Sequence, residues 1–111
     1  MPYREKEIEK QYYSISEVAE MFEVNTSLIR FWEKEFDSIK PKKNKKGNRL
    51  FTQKDIKTLR IIHHLVKNRG FTLEGARKQL KSNPEQMEHE AEISQRLKDI
   101  RAFLVELKGQ L

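Results

Sequence analysis

Asn25, Thr26, Ser27, Arg30 and Lys34 place an amide, two hydroxyls, a guanidinium and an ammonium within ten residues of chain. Spacings of three and four gather most of them on one side of a helix. Those groups suit hydrogen bonding to base edges and to phosphate oxygens. A few residues later, Lys40, Lys42, Lys43, Lys45, Lys46 and Arg49 supply six cations without an intervening acid. Runs of this kind are often solvated, disordered loops. Its position directly after a candidate reading helix favours a wing that grips phosphates. Other chemistry finds little support. The chain has no cysteine, which excludes disulfides and thiolate metal sites. It has no glycine-rich phosphate loop, no nucleophile motif and no cluster of titratable groups at useful spacing, so we expect no enzyme, no cofactor and no metal. His63 and His64 are adjacent and point about 100° apart on a helix. Neither has a histidine or carboxylate four residues on, so a surface or core-edge role is expected.

The elements that must hold these groups are legible in turn. Ser14 and Glu17 have the S-x-x-E spacing of a capping box, which starts a helix at Ile15. Val18, Ala19 and Phe22 give it an apolar face. Glu23-Val24 makes a turn. Asn25 and Thr26 are suited to cap a second helix that buries Ile29, Trp32 and Phe36. Pro41, Asn44, Gly47 and Asn48 then oppose helix and predict a β-hairpin wing, with Ile39 and Leu50 or Phe51 as inward residues. Thr52 and Asp55 open a third helix that Gly70 stops, with Ile56, Leu59, Ile62 and Val66 as its core stripe, widened by Ile61 and Leu65. Thr72 caps a fourth helix, with Phe71 as a hydrophobic staple and Leu73, Ala76 and Leu80 inward. Of Tyr12 and Tyr13, one is expected to cover the core from outside. Residues 1–12 form a charged lead-in that the sequence leaves open between arm, tail and short strand.

Asn83-Pro84 opens a last, long helix from Glu85 to Lys108, with Gly109 just past its end. Along it Ile93, Leu97, Ile100, Leu104, Leu107 and Leu111 are spaced 4, 3, 4, 3, 4, the a/d seam of a coiled coil, with Glu90 interrupting it at the front. A narrow seam on a lone helix would stand in water, so a partner helix is the stronger reading and a homodimer is expected. Net charge is +6 for 23 Lys/Arg, 17 Asp/Glu and 111 residues. Residues 1–84 carry 19 cations against 11 acids, whereas residues 85–111 carry 4 against 6. The basic part therefore points to a polyanion partner, which for a helix–turn–helix would be double-stranded DNA, and the acidic part to a different task. No apolar run approaches membrane-spanning length and MPYREKEIEK is too charged for a signal peptide, so no membrane partner and a cytoplasmic location are expected.

Taken together, SISEVA, IRFWE, RLFTQKDI and GFTLEGA make the chain resemble the MerR family of bacterial transcription regulators over about Tyr13 to Leu80. The resemblance implies a mainly α fold: a winged helix–turn–helix DNA-binding domain over residues 13–83, then a dimerisation helix over residues 84–111 forming an antiparallel coiled coil. It also implies a short form with no effector domain. The function implied is a sequence-specific transcription regulator, a homodimer on a pseudo-palindromic promoter site, distorting the DNA spacer for RNA polymerase. By the same resemblance Arg30 and the aromatic Phe31 face the DNA backbone and Arg49 grips phosphate. Ser14 at the opening of the first helix completes the candidate set. Phe31 and Phe51 stand where the family often has tyrosine, which would remove a hydroxyl-to-phosphate bond at both, and Leu28 where it often has threonine. Asp55 to Gly70 looks one residue long, which would turn the fourth helix relative to the third. A recombination accessory of excisionase type and a helical interaction adaptor are the alternatives.

Overall fold

The computed structural model describes residues 11–110, so residues 1–10 of the expected arm and Leu111 of the seam lie outside the described residues. In chain order the elements are α1 (Ile15–Met21), α2 (Thr26–Glu35), β1 (Lys42–Lys43), β2 (Arg49–Leu50), α3 (Gln53–His63), a π-helical turn (His64–Asn68), α4 (Leu73–Ser82) and α5 (Pro84–Gln110). The fold is mainly helical, with a small antiparallel hairpin pairing Lys42 with Leu50 and Lys43 with Arg49.

Local chemistry explains where the helices begin. Ser14 accepts from the Glu17 amide at 3.2 Å and the Glu17 carboxylate accepts from the Ser14 amide at 3.0 Å. Thr52 and Asp55 repeat the device for α3, and the Thr72 hydroxyl accepts from the Gly75 amide at 3.0 Å to start α4. Such caps satisfy amides that have no partner within the helix, each worth about 1 kcal/mol. Asn25 takes the N-cap position of α2, but its side chain makes no capping bond. Between α1 and α2 the chain reverses at Glu23, whose φ of 55° is left-handed.

The core is built from α1, α2 and α3. Val18, Ile29, Trp32, Phe36, Phe51, Leu59, Ile62 and Leu65 are the large side chains fully withdrawn from solvent. Ile29, Trp32 and Phe36 bury as their spacing predicts. Tyr13 is buried in the core rather than laid over it, and its backbone pairs both ways with Phe51 at 2.8 Å. Of the two wing candidates, Phe51 is the inward one and Leu50 is half-buried. Leu73 and Leu80 are partly buried against the core, and Ala76 is fully buried.

Two expectations need correction. The third helix does not continue as α-helix to Gly70; after His63 its ladder widens, and the Arg69 amide reaches back five residues to the His64 carbonyl at 3.0 Å. A widened turn takes up one residue without interrupting the backbone bonding, in the span that looks one residue long. Its effect on the stripe is that Leu65 is fully buried and Val66 is not. Gly109 does not end α5, which runs through Gln110. Gly109 is not left-handed, and a glycine within a helix costs only about 1 kcal/mol.

α5 leaves the domain with two different faces. Met87 and Ala91 are buried against it, where α5 packs along α3 and α4. Ile93, Leu97, Ile100, Leu104 and Leu107 lie on exposed positions, Leu97 and Leu104 being 62% and 56% accessible. No described helix is long and apolar enough to cross a membrane.

Candidate nucleic-acid interface

The residues singled out on α2 occupy its outer side because the inner side is committed. Ile29 and Trp32 are buried, which turns Ser27, Arg30, Phe31 and Lys34 outward, all exposed, with Asn25 exposed at the cap and Thr26 half-buried. Ser14 is half-buried, its oxygen engaged as the α1 cap. The two acids of α2 do not oppose this basic face, since each is held by an arginine from elsewhere. Glu33 accepts from Nε of Arg49. Glu35 accepts from Arg77 of α4, its carbonyl from Nε at 2.9 Å and its carboxylate from Nη2 at 3.2 Å. The Arg77 guanidinium also lies 5.5 Å from the centre of the Phe36 ring. Among the described residues no ion pair neutralises Arg30 or Lys34.

The wing is more ordered than its composition suggests. Asn44 Oδ1 accepts from the Lys46 amide at 2.9 Å and from the Asn48 amide at 3.0 Å. The Gly47 amide donates to the Asn44 carbonyl at 2.9 Å. Gly47 has a φ of 83°, a conformation that glycine adopts without strain. This side-chain-centred turn holds Lys45 and Lys46 at the tip, while Lys42 and Lys43 stand exposed on β1. Lys42 Nζ lies 6.0 Å from the centre of the Tyr12 ring. Arg49 differs from the lysines: its Nε is spent on Glu33, which anchors the return strand to the middle of α2. Behind the wing, buried Asp55 accepts from the Thr52 and Lys40 amides at 3.1 and 3.2 Å, tying the entrance of the wing to the start of α3.

The Arg49–Glu33 contact thus joins the return strand of the wing to α2, and the outward residues of α2 and the wing lysines are alike exposed. Phe31 belongs to the outward set, 44% exposed, at the rim of an open hollow of about 530 Å³ that Val24, Ser27, Leu28 and Lys67 help to line. Ligand sites enclose most of their ligand, and a hollow this open lacks the walls to do so. Phe51 does not belong. It is fully buried, so the absence of a hydroxyl there concerns the core and not a phosphate. Sequence reasoning missed Arg77 and Glu33, whose role depends on contacts 42 and 16 residues apart in the chain.

His63 fills the core edge behind α2. Its ring lies 6.1 Å from Trp32, edge to face, and 5.6 Å from Phe22. Burial holds its pKa below the ordinary value of 6.5, and Lys98, Lys67 and His64 act in the same direction against Glu23. Among the described residues there is no group of three histidines, cysteines or carboxylates able to hold a metal.

A helix presenting amide, hydroxyl and cationic groups beside a lysine-studded hairpin matches the shape and charge of a DNA groove and its flanking phosphates. Comparisons with known proteins agree. Residues 13–83 match the model of the MerR HTH family regulatory proteins. The HTH-type transcriptional regulator ZntR of Escherichia coli K12 is 33% identical over 102 residues, covering 87% of this chain and 72% of that protein. HTH-type regulator MlrA of Salmonella typhimurium LT2 is 34% identical over 56 residues, half of this chain and 23% of its own length. Among solved structures, a MerR family regulator from Bacillus thuringiensis is 25% identical with a TM-score of 0.54, covering 89% of this chain and 96% of that one. HiNmlR, a MerR family regulator lacking the sensor domain and bound to promoter DNA, is 24% identical with a TM-score of 0.53, covering 89% and 81%. The chain belongs to the MerR family of helix–turn–helix, DNA-binding transcription regulators.

Proposed function

We propose that the chain acts as a homodimer on a pseudo-palindromic promoter site. The observation that carries this reading is the apolar row on α5. Ile93, Leu97, Ile100 and Leu104 stand exposed at heptad spacing, on a helix seated on its own domain through Met87 and Ala91 near its start. Burying each such side chain against a second copy is worth roughly 1.5–3 kcal/mol. Antiparallel pairing of two α5 helices sets two reading heads about a two-fold axis, and a two-fold protein reads a two-fold site.

Within each head, Asn25, Thr26, Ser27, Arg30 and Lys34 meet base edges and the adjoining backbone, with Phe31 and Ser14 against the sugar–phosphate wall. Lys42, Lys43, Lys45 and Lys46 supply phosphate charges. Arg49, with Nε held by Glu33, offers its terminal nitrogens to a phosphate. The DNA between the half-sites is distorted, and RNA polymerase on the same promoter is the further partner. Such a regulator works where the chromosome is, in the cytoplasm. DNA-bound HiNmlR supports the DNA partner, and the ZntR likeness supports the regulatory role. The reading is tested by light scattering of the free protein together with footprinting on the promoter nearest its own gene. A dimer protecting two symmetric half-sites is expected, and a monomer protecting one half-site overturns it.

A further inference from the structure

The π-helical turn does more than absorb a residue. On a regular helix Arg69 would lie five residues, or about 140°, round from His64. Widening to about 4.4 residues per turn returns the fifth residue nearly to the starting face. His64, Asn68 and Arg69 thereby share one side, and all three meet α5. Arg69 Nη1 donates to Glu90 Oε1 at 3.1 Å while its guanidinium covers the Phe71 ring at 4.8 Å. His64 Nε2 lies 3.5 Å from the same carboxylate oxygen. The Asn68 amide spans the His64 ring nitrogen Nδ1 and the Ser94 hydroxyl, each at 3.2 Å. Glu90 and Ser94 are one turn apart on α5 and adjoin buried Met87 and Ala91. The polar clamp therefore borders the apolar seat of the helix on its domain.

We propose that this clamp fixes the direction in which α5 leaves the domain, and so sets the separation of half-sites that the protein accepts. His64, Asn68, Arg69, Glu90 and Ser94 act as positioning residues for DNA recognition without touching DNA. The proposal rests on the homodimer reading above. The physical reason is that α5 is the described element joining each head to the two-fold axis. A small change in its exit angle is carried along a 27-residue helix, which at 1.5 Å per residue spans about 40 Å. The DNA sets a fine scale for the error. One added base pair advances the second half-site by about 3.4 Å and turns it by about 34°.

The test measures binding to duplexes whose two half-sites are moved apart in single base-pair steps, and to a duplex carrying one half-site. The proteins are the wild type, Glu90→Ala, Asn68→Ala and a deletion of exposed Lys67 that returns the turn to regular helix. Light scattering and thermal melting accompany each. The wild type should favour one spacing over its neighbours by about 5- to 150-fold, the discrimination carried by one base contact. Glu90→Ala and Asn68→Ala should flatten that profile toward one while half-site affinity and dimerisation stay unchanged. The Lys67 deletion should move the optimum, and if it does not fold, the two point variants decide. Dimeric variants with the wild-type spacing profile overturn the proposal and leave the homodimer reading standing. A monomeric wild type overturns the homodimer reading itself.

Discussion

Arg77 Nε donates to the Glu35 carbonyl at 2.9 Å, which ties α4 to the last turn of α2. The bond serves a carbonyl that helix geometry leaves without a partner, and the Arg77 side chain, 41% exposed, adds a carboxylate contact that water partly screens. Replacing Arg77 by alanine should therefore lower stability by about 1 kcal/mol, less than a buried charged bond would. Affinity for DNA should fall further than that loss alone explains, because the end of α2 is no longer held. Urea unfolding beside a binding titration checks both.

The wing and α2 should separate under salt. Lys45→Ala/Lys46→Ala removes two phosphate charges, and each should lower the slope of log affinity against log salt by about 0.9 while weakening cognate and random duplexes alike. Ser27→Ala and Arg30→Ala should cost about 1–3 kcal/mol on the cognate site and much less on random DNA where a base contact is lost. A wing variant that loses selectivity while the helix variants weaken every duplex equally would reverse the assignment.

On the proposed homodimer reading, paired replacement of Leu97 and Leu104 by glutamine should separate the two copies. Both side chains are largely exposed in the single chain, so the fold of the domain should survive. Light scattering should report half the mass, with an unchanged melting temperature for the winged domain.

Acid should loosen the core edge through His63. Its folded pKa lies below the ordinary 6.5, chiefly through burial. The unfolded chain therefore binds the proton more readily, and stability falls as pH drops through about 6.5 toward the folded value. His63→Gln should remove that part of the pH dependence. Denaturation midpoints compared at pH 7.5 and 5.5, for wild type and variant, provide the measurement.

Much of this fold follows from local pattern. Ser14 with Glu17 and Thr52 with Asp55 mark helix starts because a cap is a contact between residues three apart. The inward set Ile29, Trp32 and Phe36 follows from helical period. The π-helical turn is different: a helical pattern with no glycine or proline before Gly70 gives no local sign of a wider ladder, which serves contacts to Glu90 and Ser94 on α5. The same holds for Arg77 on Glu35 and Arg49 on Glu33, whose partners are chosen by the packed fold. The wing was legible as cation-rich, whereas its order depends on one side chain, Asn44, accepting two amides of the turn.

The bridge between Tyr13 and Phe51 has a bearing on solubility. Backbone groups of successive strand residues point to opposite sides, and Leu50 is the residue of β2 registered with Lys42 of β1. The pairing of Phe51 with Tyr13 therefore lies on the far side of β2, which becomes the middle of the assembly. Among the described residues, the outer rim left open is β1, and it carries Lys42 and Lys43, both exposed. An open rim is a template for edge-to-edge association, and lysines there oppose it by repulsion. The lysines that the proposed function gives to phosphate should thus also oppose the joining of free copies hairpin to hairpin.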